Sequence, residues 1–202
     1  MNALVTSPNG GSTIYIPRWK RTGHNMKDKP MEDAKDASDQ PAHDTSELEM
    51  VVLMTPDMAN FSGKVHGGAL LNLLDRVAFS CACRYSQEYA VTLSVDQVVF
   101  RQAIHVGELV TFRASINYAG RTSMEIGIRV EAENIRTGQR RHTNSCYFTM
   151  VAVDVNGRPT GVPPYEPATE VRKRRRRAAE IRRNLRVEFE ARFLATSSGS
   201  EK

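Results

Sequence analysis

The chain has 202 residues, 40% of them apolar and 25% charged, within the range of soluble globular proteins and about a third longer than one domain of roughly 150 residues. No apolar run approaches the roughly 20 residues of a membrane-spanning helix, and the N-terminus lacks the basic stretch and unbroken apolar run of a secretory signal, so a cytoplasmic protein without a membrane span is expected. The net charge of +5 hints at nucleic acid until it is divided along the chain: Val171 to Phe193 carries ten Lys/Arg against three Glu, a net of +7, and leaves −2 for the rest.

Residues 1–45 are rich in Gly, Ser, Asn, Asp and Lys without sustained periodicity, and such a composition cannot bury enough apolar surface to offset the entropy of ordering. A disordered polar extension is expected there. Patterned sequence begins near Ser46 with a β-prone stretch, Glu49 to Met54, stopped by Pro56. The loop from Asp57 to Val65 leads to His66-Gly67-Gly68. From Gly68 to Tyr85 the apolar residues repeat with helical period: Leu70, Leu73, Leu74, Val77 and Cys81 share one side, Leu71, Ala78 and Ala82 widen it, and Asn72, Arg76 and Ser80 form a narrow polar stripe. A helix apolar round most of its girth must be wrapped by other structure.

Alternating stretches follow at Val91 to Asp96, Val110 to Tyr118, Met124 to Glu133 and His142 to Asp154, with short turns at Ala119-Gly120-Arg121 and Thr137-Gly138. They predict antiparallel hairpin strands. The last strand is apolar on both faces from Cys146 to Val153, which suits a central or interface position. One wrapped helix and a run of antiparallel strands make an α+β unit over residues 46–164. Residues 165–202 then read as a Pro-rich linker and a basic, helix-prone tail, a solvated or quaternary-contact element. The three cysteines suit buried thiols, and no Cys/His spacing supports a metal.

Candidate chemistry converges on the start of the helix. Gly67 and Gly68 would offer bare N–H groups at a helix N-terminus, which favours a negative oxygen, as in an oxyanion hole. On a helical wheel Asp75 falls between Leu71, Phe79 and Ala82, a carboxylate aimed into an apolar surface, which is costly without a purpose or a partner. Asn60, in the preceding loop, carries an amide able to orient a water or a carbonyl oxygen. His66 is a candidate base or a helix cap.

Asn60-Phe-Ser-Gly63-Lys-Val-His66-Gly67-Gly68, Asp75, Val91-Thr92-Leu93-Ser94-Val95-Asp96, Phe100, Ile104-His-Val106-Gly107-Glu108, Gly120-Arg121-Thr122-Ser123-Met124-Glu125 and Phe148-Thr-Met-Val151-Ala152-Val153-Asp154 closely resemble the hotdog-fold acyl-CoA thioesterases of the cytosolic acyl-CoA hydrolase type. The resemblance covers about residues 46–164. It implies a long central helix wrapped by a curved antiparallel sheet, and a homo-oligomer, either a dimer or a trimer of dimers. It also implies hydrolysis of fatty acyl-CoA to free fatty acid and coenzyme A, with Asn60 and Asp75 as the catalytic pair contributed by different protomers.

On that reading Gly67 and Gly68, beside His66, hold the developing oxyanion, while Asp75 acts as general base or nucleophile and Asn60 positions water. Arg121, Thr122 and Ser123 are expected near the coenzyme A part of the substrate, where Arg and hydroxyl groups suit phosphate and pantetheine oxygens. No separate cofactor is expected, coenzyme A being part of substrate and product. Two rivals stand beside this reading. One is a hotdog dehydratase acting on acyl thioesters with His66 and Asp75; the other is a nucleic-acid or acidic-membrane binding module carried by the Arg-rich tail, which lacks the interleaved aromatics that stack on bases.

Overall fold

A computed structural model describes residues 3–5, 14–16, 44–96 and 98–197. Two three-residue strands, β1 (Ala3–Val5) and β2 (Ile14–Ile16), pair antiparallel. Apart from these two strands and residues 44 and 45, the extension expected to be disordered lies outside the described residues. The main unit begins with β3 (Glu47–Leu53), a short 3-10 turn at Pro56–Met58 and the helix α1 (Gly67–Ser86). It continues through β4 (Tyr89–Val95), β5 (Leu109–Ala119), β6 (Ser123–Asn134) and β7 (Gln139–Val153) to a second helix, α2 (Glu170–Ser197).

The five strands form one open antiparallel sheet in the order β3-β5-β6-β7-β4. The helix and strands sit where the periodicity predicts them, with every end within three residues of its expected place. The expectation for β7 is met in its interior place between β6 and β4. Its inward residues Cys146, Phe148, Met150 and Ala152 are buried.

α1 lies across the inner face. Leu70, Leu73, Leu74, Val77, Ala78, Cys81 and Ala82 join Phe112, Ile116, Ile126, Ile128 and Phe148 in a single apolar cluster. Cys81 and Cys146 belong to this core, and Cys83 is half-buried. Burial pushes the Cys81 and Cys146 thiols up to about 12. The helix closes on Gln87, a non-glycine residue in the left-handed region at φ 59°, whose N–H donates to the Cys83 carbonyl.

The sheet wraps α1 from one side only. Leu71 on the helix is 39% exposed, and Tyr89 and Leu93 on the edge strand β4 are 58% and 49% exposed. Thus the wrapping that the all-round apolar pattern demands is incomplete within one chain.

The Pro-rich stretch after β7 is packed back onto the domain: Thr160 N–H donates to the Ala152 carbonyl, Val162 N–H to Arg121 O, and the Tyr85 hydroxyl to Pro163 O. α2 then crosses the outer face of the sheet. Arg172 pairs with Asp44 and Glu47, Arg182 with Glu125, and Arg186 with Asp96. Arg182 also stacks its guanidinium 3.5 Å above the Tyr147 ring. The helix-prone basic segment is therefore a docked element, with Arg172, Arg182 and Arg186 partnered by acids on or beside the sheet, where the charge run alone suggests a solvated or quaternary one.

Candidate active site

The N-terminus of α1 is organised by His66. Its Nδ1 accepts the Ala69 N–H at 3.0 Å, the role of a helix N-cap. An accepting Nδ1 carries no proton, so the neutral ring holds its proton on Nε2. The ring packs over Gly68, where an added Cβ would come within 3.1 Å of Nδ1. The cap and the glycine are thus matched. Among the described residues, no hydrogen bond uses the N–H of Gly67 or Gly68, which leaves two donors of the first turn for a ligand oxygen.

Asn60 occupies the exposed loop ahead of the helix. Its Oδ1 accepts from Ser62 N–H (2.9 Å), Ser62 Oγ (2.8 Å) and Lys64 N–H (3.1 Å), a side-chain turn that fixes the amide. With Oδ1 engaged in its own loop, its Nδ2 points to no partner among the described residues.

Asp75 corrects the sequence reading. It is exposed, on the side of α1 that the sheet leaves open, between half-exposed Leu71 and half-buried Phe79. A helical wheel reports which residues share a face; whether the chain's own sheet covers that face is a tertiary fact. The carboxylate is held by Thr92 on β4, whose Oγ1 donates to Asp75 Oδ1 at 2.6 Å. Thr92 was not singled out in the sequence, since a threonine in an alternating strand carries no local signal of its partner.

Among the described residues no hydrogen bond joins Asn60 to Asp75. Asp75 lies eight residues along α1 from Gly67, about 12 Å down the axis at ~1.5 Å per residue, and Asn60 lies beyond the helix start.

Arg121, Thr122 and Ser123 form the β5–β6 turn at the end of the sheet. It is pinned by Gly120 N–H to Ser123 O (2.7 Å) and by Ala152 N–H to Thr122 O (3.0 Å), with the Arg121 side chain in solvent. Among the described residues no hydrogen bond joins them to Asp75 or to the α1 N-terminus. Ser123 instead lines a cavity of about 250 Å³ beneath α2, together with Tyr118, Thr149, Arg183 and Arg186. Among the described residues no group of His, Cys, Asp and Glu could hold a metal ion.

The thioesterase superfamily model matches residues 62–139, from the loop of Asn60 to the β6–β7 turn. The fold and this match define a hotdog member of the superfamily. Protein VdlD of Helicobacter pylori is 55% identical over 144 residues, covering 71% of this chain and 82% of that one. A crystal structure of an apo-hexameric acyl-CoA thioesterase shares 35% identity at TM-score 0.70, covering 73% of this chain and 94% of that one. The acyl-CoA hydrolase of Staphylococcus aureus, solved with butyryl coenzyme A and coenzyme A, shares 26% identity at TM-score 0.67, covering 76% and 96%. The chain belongs to the acyl-CoA thioesterase family and is a thioester hydrolase. Structures of the Staphylococcus aureus enzyme include alanine variants of an Asn, an Asp and a Thr spaced 15 and 17 residues apart, the spacing of Asn60, Asp75 and Thr92 here.

Proposed function

We propose that the protein hydrolyses fatty acyl-CoA at sites built across a homodimer, Asn60 coming from one protomer and Asp75 from the other. One observation carries this reading. The Asp75 carboxylate, gripped by Thr92, stands exposed beside the edge strand β4 with exposed Tyr89 and Leu93. The oxyanion donors lie about 12 Å away at the start of the same helix, and Asn60 belongs to the loop that leads into it. Two such chains related by a two-fold axis can set the N-terminus of one α1 against the middle of the other. This apposition also covers the apolar surface one chain leaves open. A trimer of such dimers, a cytoplasmic location and coenzyme A contacts from Arg121, Thr122 and Ser123 belong to the same proposal. No helix among the described residues is long and apolar enough to cross a membrane.

In the chemistry that follows, Asp75 takes a proton from a water placed by Asn60, and the water oxygen bonds to the thioester carbon. The carbonyl oxygen becomes an oxyanion held by the Gly67 and Gly68 N–H groups. Collapse breaks the C–S bond, and the departing thiolate recovers the proton from Asp75. A thiolate is a good enough leaving group to need no further acid. Direct attack by Asp75, giving an anhydride that water then opens, uses the same residues. Thr92 keeps the carboxylate in one rotamer in either case. His66, engaged as a cap through Nδ1, is poorly suited to the base role a dehydratase requires.

Thiol release from acyl-CoA of graded chain length tests the activity. Asp75→Asn and Asn60→Ala should each lower kcat by about 10²–10⁴ while the oligomer persists. Mixing the two inactive proteins under subunit exchange should restore about a quarter of wild-type activity, since half the dimers are mixed and each holds one intact site. No recovery despite demonstrated exchange would place both groups in one chain, and activity within twofold of wild type for Asp75→Asn would remove Asp75 from the chemistry.

A further inference from the structure

We propose that the ion pair of buried Glu108 with half-buried Arg141 is a positioning clamp for the oxyanion turn at Gly67 and Gly68, an inference that rests on the reading of that turn above. Glu108, the residue just before β5, is 6% exposed. Arg141 on β7 reaches it in bidentate fashion, Nη1 to Oε1 and Nη2 to Oε2, both at 2.7 Å. Oε2 also accepts the His105 N–H at 2.8 Å, and Arg141 Nη2 donates to the Ala103 carbonyl at 2.7 Å. A single arginine therefore closes the loop of residues 103–108 at both ends.

That loop in turn holds the segment leading into α1. The Ile104 carbonyl accepts the Val65 N–H at 2.9 Å, and Lys64 pairs with His105 as an antiparallel bridge. On the other side His66 N–H donates to Met58 O at 2.9 Å. Residues 64–66 are thus fixed from two sides immediately before the two glycines whose N–H groups carry the chemistry. Met54 locks the loop further, donating to Glu108 O at 2.9 Å and accepting from Gly107 N–H at 2.8 Å.

Stability alone is a weak reason for such a pair, because a buried ion pair replaced by apolar residues of similar volume is often no less stable. Its directional bonds supply what apolar packing lacks, a fixed position for the loop carbonyls. Burial works against the charge on Glu108, but the Arg141 and His105 hydrogen bonds outweigh it and hold the carboxyl below its usual range. The clamp is then ionised throughout the neutral range.

The test compares Glu108→Gln, Arg141→Met and the paired replacement Glu108→Met with Arg141→Leu. Each is measured for thermal midpoint, for kcat and KM with a short acyl-CoA, and for inhibition by a trifluoromethyl-ketone analogue of that acyl-CoA, whose hydrate mimics the tetrahedral intermediate. Removing an oxyanion donor outright costs about 10²–10³ in kcat, so displacing the donors should lower kcat roughly 10–100-fold. KM should stay within about twofold, with analogue affinity weakening by the same factor as kcat. The paired apolar replacement should recover the thermal midpoint without recovering kcat. Recovery of kcat along with stability, or unchanged analogue affinity in variants with low kcat, would overturn the clamp. If the unmodified enzyme binds the ketone no more tightly than substrate, the oxyanion reading fails first and takes the clamp with it, a result visible without any variant.

Discussion

α1 meets the inner face of the sheet with Leu70, Leu74, Val77 and Cys81 in one cluster with Phe112, Ile126 and Phe148. α2 meets the outer face with arginines set against Asp44, Glu47, Asp96 and Glu125. Among the described residues of α2, Ala179 is the one buried apolar side chain. The two contacts do different things. Apolar burial is non-directional and scales with area, so it stabilises the inner layer without naming partners. A guanidinium on a carboxylate is directional, so each arginine selects a place on the sheet and fixes the orientation of α2. Partly buried Arg186 on Asp96 also ties α2 to the residue that follows β4, the strand carrying Thr92.

Substitutions on the two faces should separate these contributions. The largest effect belongs to the inner face, where Phe112→Ala should cost about 3–5 kcal/mol. Chemical denaturation at low and high salt would show it, and the loss should be the same in both. A cost below about 1 kcal/mol would mean that the inner cluster repacks freely.

On the outer face Glu125→Gln weakens the acceptor of Arg182, at 2% exposure, and should loosen α2 by about 1.5–3 kcal/mol. Limited trypsinolysis within α2 should speed up, and 1 M salt should speed it further through screening of the half-buried pairs. Equal cleavage rates in wild type and variant would mean that α2 is held by something other than these arginines.

The smallest effect lies at the first turn of α2. The Ser46 hydroxyl's hydrogen bond, with help from Arg172, holds the Asp44 carboxyl down from its ordinary 3.8 to about 2. A depressed carboxyl stabilises the fold above its ordinary value and loses that contribution as pH falls through the window from about 3.8 to about 2. Hydrogen exchange at the start of α2 should rise across that window in wild type and less so in Asp44→Asn. Identical profiles would show that the Asp44–Arg172 contact adds nothing there.

The same contrast explains what the sequence revealed. α1 and the hairpins were legible because burial imprints a period on the chain, and the glycine pair was legible because a helix start needs a cap and offers donors. The docking of α2 was hidden, since six consecutive basic residues from Arg172 to Arg177 read as solvated until the acids that face them are known. Glu47 and Glu125 are far away in sequence and sit in ordinary alternating strands. Thr92 was hidden for the same reason, its partner Asp75 lying 17 residues earlier on another element. Asp75 itself was found by its place on the wheel and misplaced in depth, because periodicity fixes the face and leaves its cover to the partner layer.

The position of the cysteines has a practical consequence for labelling. With their thiols at about 12, Cys81 and Cys146 hold roughly one part in ten thousand of thiolate at pH 8. Maleimides and disulfide exchangers, which need the thiolate, should therefore pass them by. Cys83, half-buried and itself raised by burial, is the one competitor among the three cysteines. A chain in which Cys83 is replaced by Ala and exposed Asn184 of α2 by Cys would accept a single fluorophore or spin label on the outer helix. The native thiols would stay in the core as the unreactive spectators that any distance measurement between protomers requires.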